Sequence, residues 1–246
     1  MITLYQFECS HFCEKARWAL DYKGVSYKAK NLVAGPHQLI TGKLAQKTCV
    51  PIIVDTGRTV QDSTAIINYL DQRYPDQPLT PLDENNAKEA LEWEEYFDDE
   101  IGITIRLWFY YYALQNRNLA TKFLLRGAPW YGRPLYAFIF PKLRSLMEDM
   151  MEISSENARK SEKRFVAACD SLNKELEDRQ YLVGNSFSRA DLTACALLQL
   201  LVFPDSDIST QLPQAVTEFR NGSLHDRFFT WVSEIYKTHR RTAEAV

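Results

Sequence analysis

A proline-rich break divides this chain into two stretches with different hydrophobic periods, and that division constrains the fold more than any other feature. Residues 75–83 read Pro-Asp-Gln-Pro-Leu-Thr-Pro-Leu-Asp, with three prolines and little to bury, the composition of a linker. Before the break, short runs of β-branched and aromatic residues alternate with helical spacings. After it the two-residue period nearly vanishes. Asn86 to Leu114, roughly Leu143 to Asp178, Ala190 to Phe203 and Leu224 to His239 all read as helices. A length of 246 residues suits two modest domains. We expect an α/β domain over 1–76, a linker over 77–86 and an all-helical domain over 87–246.

Within the first domain, Ile2 to Phe7 reads as a strand. From His11 to Tyr22, Phe12, Ala16, Ala19 and Leu20 recur at helical spacing, and Gly24 marks the stop. Val25 to Leu32 reads as a second strand, and Gly35-Pro36-His37 as a loop into a short helix near Gln38 to Leu44. Asp55-Thr56-Gly57-Arg58 separates two apolar runs and predicts a β-hairpin. A helix from Ser63 to Arg73 follows, ended by Pro75. The order is β-α-β-α-β-β-α: a parallel β-α-β unit, then a hairpin.

Composition excludes several function classes. The net charge of −3 provides no basic field for nucleic acid or an anionic membrane surface. No run reaches the roughly 18 apolar residues of a membrane-spanning helix. Glu8 follows the first strand at once, so the opening residues do not read as a signal peptide. Five scattered cysteines suit reduced thiols in a cytoplasm better than a disulfide framework. The four histidines lie far apart, no zinc spacing occurs, and no metal site is expected.

Four motifs occur in order along the chain. Cys9-Ser10-His11-Phe12-Cys13-Glu14-Lys15-Ala16-Arg17 joins the first strand to the first helix. Thr48-Cys49-Val50-Pro51-Ile52-Ile53-Val54 leads into the third strand, Gln61-Asp62-Ser63-Thr64-Ala65-Ile66 opens the next helix, and Ser188-Arg189-Ala190-Asp191 precedes an apolar run. Together these resemble the glutathione transferase superfamily, with a theta- or beta-like serine/cysteine N-terminal motif of the bacterial type. The resemblance implies a thioredoxin-like first domain binding glutathione and a helical-bundle second domain lining an acceptor pocket. It also implies a cytoplasmic homodimer active in detoxification.

Physical chemistry supports each motif separately. A cis Pro51 would hold Val50 extended, with its backbone free to pair with a peptide ligand as a short strand. Asp62 and Ser63 stand where a helix begins, so its N–H groups and the Ser63 hydroxyl can hold a γ-glutamyl carboxylate while Asp62 accepts from the ammonium. His37 resembles the loop histidine that reaches the glycyl carboxylate in theta-like members. Cys49 stands where many relatives carry a lysine. Ser188 and Asp191 read as a capping box with a folding role, worth on the order of 1 kcal/mol.

Glutathione's thiol must ionise before it attacks, and lowering its pKa by about two units takes roughly 3 kcal/mol. Ser10, in the place of the theta-like serine, is the first candidate to supply this by hydrogen bond and helix dipole. Cys9 is the second, and would favour mixed-disulfide chemistry. Tyr5 is the third. Cys13 reads as a small buried hydrophobe.

For the acceptor pocket we single out Phe12, Trp108, Tyr111 and Tyr112. Consecutive aromatics at 108–112 surround the helix axis and cannot all face one core. The aromatic stretch from Leu119 to Leu143 reads as a lid, a dimer contact or a peripheral apolar patch. The expected activity is conjugation of the glutathione thiolate to a small hydrophobic electrophile. The alternatives are a thiol transferase or reductase working through Cys9, and a non-catalytic transferase-like interaction module.

Overall fold

The computed structural model describes residues 1–202 and 212–240. The first half forms a four-stranded sheet from β1 (Ile2–Gln6), β2 (Tyr27–Asn31), β3 (Ile52–Asp55) and β4 (Arg58–Gln61), in the order β2-β1-β3-β4. β1 and β2 run parallel, whereas β1–β3 and β3–β4 are antiparallel. The hairpin is tighter than the sequence suggests. Asp55 and Arg58 are its last paired residues, so only Thr56 and Gly57 turn, both at positive φ (45° and 88°), the backbone of a type I′ turn. α1 (His11–Tyr22), α2 (Gln38–Thr41) and α3 (Ser63–Arg73) complete this half. This is the expected thioredoxin-like β-α-β-α-β-β-α order.

The second half is all helical. α4 (Glu84–Phe97), a π-helical turn (Asp98–Ile103) and α5 (Thr104–Ala113) are consecutive, where periodicity alone predicts one unbroken helix. π turns recur at functional sites, and this one brings Gly102 against the first helix. A Cβ at Gly102 would meet Phe12 Cζ at 2.6 Å. α6 (Arg117–Leu124) and α7 (Gly132–Met150) occupy the aromatic stretch. Pro134 falls in the first turn of α7, where a missing N–H costs nothing.

The expected helix from 143 to 178 is instead the end of α7 and a separate α8 (Ser155–Glu175). Glu152 adopts a positive φ and Ser154 caps α8, accepting from the Asn157 N–H at 3.1 Å. α9 (Arg189–Val202), α10 (Gln214–Ser223) and α11 (Arg227–His239) follow. α10 had no counterpart in the sequence reading, and Phe203, the expected end of α9, lies outside the described residues. No described helix is long and apolar enough to cross a membrane.

One core runs through both halves, from Ile2, Leu4 and Trp18 to Leu192, Leu197 and Trp231. Charge crosses it in a paired network, in which Asp98 Oδ1 and Arg189 Nη2 are buried without a hydrogen-bond partner. Lys15 Nζ, fully buried on α1, lies 2.7 Å from both Glu94 Oε1 and Asp98 Oδ2. Glu94 also pairs with Arg189, which donates to Asn68 and Thr80 at 2.7 and 2.9 Å. A second, smaller core seats α6 and α7 on the loop after β2, joining Val33 and Ala34 to Leu124, Tyr136, Phe140 and Leu143. Tyr136 donates to the Ala34 carbonyl at 3.1 Å, and Asn31 to that of Gly127 at 2.9 Å. The ends of the aromatic stretch, at Phe123, Leu124 and Leu143, border the cleft between the halves, whereas Trp130 and Phe138 are exposed to solvent.

Candidate functional site

A cavity of about 250 Å³ opens between the two halves. The α/β half contributes Cys9, Ser10, His37 and Thr48 to Val50, and the helical half contributes Arg106, Tyr110 and an apolar wall from α6 and α7. Ser10 enters α1 as its N-cap in extended conformation, its Oγ accepting from the Cys13 N–H at 3.4 Å. The side chain caps the positive end of α1 and borders the cavity, and it also lies within hydrogen-bond reach of the Cys13 thiol.

Cys9 lines the same cavity with different chemistry. Burial, reinforced by neighbouring Cys13, pushes its thiol up to about 12; Arg126 and Arg17 offset this only in part. The thiol is protonated at neutral pH, which weakens it as a nucleophile. Cys13 is fully buried inside α1. Tyr5 lies on β1 and does not line the cavity; Lys30 Nζ sits 5.0 Å from its ring centre.

His37 lines the cavity but is committed locally. Its Nδ1 accepts from the Gly35 N–H at 3.1 Å, and its ring meets Phe7 edge-on at 4.8 Å. Burial lowers its pKa, against hydrogen bonds with the Gly35 and Thr48 backbones, so the ring is neutral. The Val50–Pro51 bond is cis. Val50 precedes β3 and stays outside the β1–β3 register. Gln61, which the sequence reading gave no role, fixes this loop by donating to the Lys47 and Cys49 carbonyls, each at 2.7 Å.

Asp62 is exposed at φ 89° and caps α3. Its carboxylate accepts from the Thr64 and Ala65 N–H groups at 2.9 and 3.1 Å, so two of the donors expected to face a ligand are already engaged. Ser63 is only 2% exposed. Asp62 belongs to an acidic recess shared with Thr64, Glu94, Asp98 and Asp99, and Phe12 lines both this recess and the apolar cavity. Inside the recess, Lys15 and Arg189 hold Glu94 below its ordinary pKa despite burial. Burial raises that of Asp98, with Lys15 opposing.

The acceptor side departs from expectation. Phe12 lines the cavity, but Trp108, Tyr111 and Tyr112 do not. Trp108 is fully buried and packs edge-on against Phe165 at 5.0 Å and Tyr112 at 5.8 Å. The reason is helical phase. Arg106, Phe109 and Tyr110 share one face of α5 at spacings of three and four, and that face meets the cavity; Trp108 and Tyr112 share another. Among described residues, Arg106, Tyr110 and Met147 are cavity residues that the sequence reading missed.

Comparison with known proteins identifies the family. Residues 4–78 match the glutathione S-transferase N-terminal domain model, and residues 135–221 match the C-terminal domain model. A probable glutathione S-transferase from Nicotiana plumbaginifolia is 32% identical over 108 residues, 43% of this chain and 49% of that protein. The chain thus spans about half the length of such curated relatives. A Methylobacterium radiotolerans glutathione S-transferase, solved with glutathione sulfonate, superposes with a TM-score of 0.59 at 18% identity, covering 93% of this chain and 92% of that one. A glutathione S-transferase domain-containing protein from Marinobacter aquaeolei gives 0.67 at 17% identity, over 96% and 98%. With both domain models matched in order on a fold of this architecture, the chain belongs to the glutathione transferase superfamily.

Proposed function

We propose that the protein conjugates glutathione to small electrophiles, with Ser10 orienting and stabilising the thiolate. The observation that carries this reading is Ser10 itself. It caps α1 with its oxygen and borders a cavity shared by the cis-proline loop and an apolar helical wall. In this reading Val50 pairs with the glutathione backbone. The γ-glutamyl end lies toward Asp62, Ser63 and the acidic recess, and the glycyl end toward His37 and Thr48. The thiol proton leaves to solvent, the sulfur forms a bond to the electrophilic carbon, and the leaving group departs with its bonding pair. The high thiol pKa of Cys9 counts against the thiol-transferase alternative.

The protein is proposed to act as a cytoplasmic homodimer. Leu91 and Ile103 are exposed at the rim of the acidic recess and offer apolar surface to a second copy. Sedimentation would read the oligomeric state.

The primary test is calorimetric titration with glutathione and S-hexylglutathione, followed by turnover with a haloarene acceptor. Ser10→Ala should lower turnover by about ten- to a hundredfold, the loss of one hydrogen bond to a charged group. Unchanged turnover would reject the assignment. A Cys9→Ser variant should retain conjugation, and a glutathione–Cys9 mixed disulfide in the mass spectrum would argue for thiol exchange instead.

A further inference from the structure

Among the described residues, one cation in the cavity has no counter-charge. Arg106 faces the cavity from α5, with its Nε buried and without a hydrogen-bond partner. The groups acting on its charge are the Tyr110 hydroxyl and the Cys49 thiol; no carboxylate is among them. Its guanidinium carbon lies 5.8 Å from the centre of the Phe12 ring. Burial lowers its pKa, but a guanidinium stays protonated in a protein. Other cations around the cleft are neutralised: Lys15 by Glu94 and Asp98, Arg17 by Glu14, Arg126 by Glu8.

A second polar atom in the same cavity is also unsatisfied. His11 Nε2 is buried with no partner. Burial, with the Arg106 charge adding to it, brings the His11 pKa down to about 3, against a backbone hydrogen bond at Gly102. The ring is therefore neutral, and it adds no second charge beside Arg106. Around this pair the lining is apolar, including Phe109, Phe123, Leu143, Met147 and Met150. An unpaired charge at a desolvated site is costly unless an anion arrives to meet it.

From this we infer that the acceptor is an amphipathic organic anion: Arg106 takes its carboxylate or sulfonate, and the leucine- and methionine-lined wall takes its apolar body. The inference rests on the cavity being the acceptor site of a glutathione-dependent enzyme. Glutathione carries carboxylates of its own, so the experiment must separate the two sources of negative charge. Arg106 comes from the helical wall, whereas Ser10, His37 and the Thr48 to Val50 loop come from the α/β half, and the Cys49 thiol of that loop reaches the Arg106 charge.

Two unreactive ligands of one shape, 4-phenylbutyrate and 4-phenylbutyramide, make the test. Each is titrated calorimetrically into the full chain saturated with S-methylglutathione. The acid should bind at least about tenfold more tightly than the amide, the scale of a hydrogen bond to a charged group. In Arg106→Met that gap should close through loss of acid affinity. Equal binding of acid and amide to the wild type, which needs no variant to fold, would overturn the inference. So would a gap that persists in Arg106→Met. A tenfold loss of S-methylglutathione affinity in that variant would assign Arg106 to glutathione and overturn it as well. Failure of the wild type to bind S-methylglutathione sinks the transferase reading instead, because the acid–amide gap is then read on the empty protein.

Discussion

Two cations set in helices near the candidate site, Lys15 and Arg106, are treated in opposite ways. Lys15, on the recess side, is fully buried and held at 2.7 Å by both Glu94 and Asp98, with Thr64 accepting at 3.1 Å. Arg106, on the cavity side, has an aromatic ring for company and no carboxylate. A buried charge with all its partners is part of the fold, and removing it strands the charges it neutralised. A buried cation left without partners opposes folding, so its removal costs the fold little, and it is a candidate to meet a ligand. Position in the site region alone would have grouped the two. Their hydrogen bonds separate them.

The largest test of that contrast is Lys15→Met. It leaves Asp98 without a cation and Glu94 with only Arg189, and should cost about 3–5 kcal/mol in urea unfolding. A cost below about 1 kcal/mol would remove the distinction between the two sites.

Asp191 comes next, as a satisfied group elsewhere in the helical half. Its carboxylate accepts from the Leu182 N–H, the Ser188 N–H and the Ser188 hydroxyl at 2.8, 2.8 and 3.0 Å. The sequence alone suggests a cap worth on the order of 1 kcal/mol, but the third bond, from Leu182, ties α9 to the preceding loop. Asp191→Ala should cost about 2–3 kcal/mol by the same measurement. Burial raises the Asp191 pKa from 3.8 to about 6 against those hydrogen bonds. The folded state therefore holds its proton to higher pH than the unfolded state does. Stability from this group is present below about pH 4 and is lost as pH rises through about 6. Asp191→Asn should flatten that window in a stability–pH profile.

Gly102→Ala probes the wall between the two regions. The added Cβ meets the Phe12 ring, and overpacking of this kind costs about 1–3 kcal/mol. Because Phe12 borders both the recess and the cavity, S-hexylglutathione affinity should fall with stability; a stability loss alone would make Phe12 a core residue only. The smallest effect belongs to Arg106→Met, which should unfold within about 1 kcal/mol of wild type, or later. A loss comparable to that of Lys15→Met would erase the contrast and give Arg106 a structural role.

Much of the α/β half was legible because its signals are local. Ser10 caps α1 where the sequence places a helix start, α1 and α3 fall on their predicted bounds, and Thr56-Gly57 turns the hairpin. The helical half was legible as helices but not as boundaries. The π turn at Asp98–Ile103, the break at 151–154 and the extra helix Gln214–Ser223 depend on packing between segments far apart in sequence. Arg189, read only as the interior of a capping box, joins Glu94, Asn68 and Thr80. No local pattern announces such a hub.

By itself the sequence determined the fold class, the family, and the short stretches that enclose the α/β side of the cavity. A cap, a hairpin or a residue before proline is decided within a few residues of itself. Tertiary structure decided which face of α5 meets the cavity, since 104–113 carries large side chains all round and periodicity offers more than one solution. It also decided which cations are paired: Lys15 and Arg106 are both cations set in helices, and only the packing of α1, α4 and α5 gives one its carboxylates and leaves the other without.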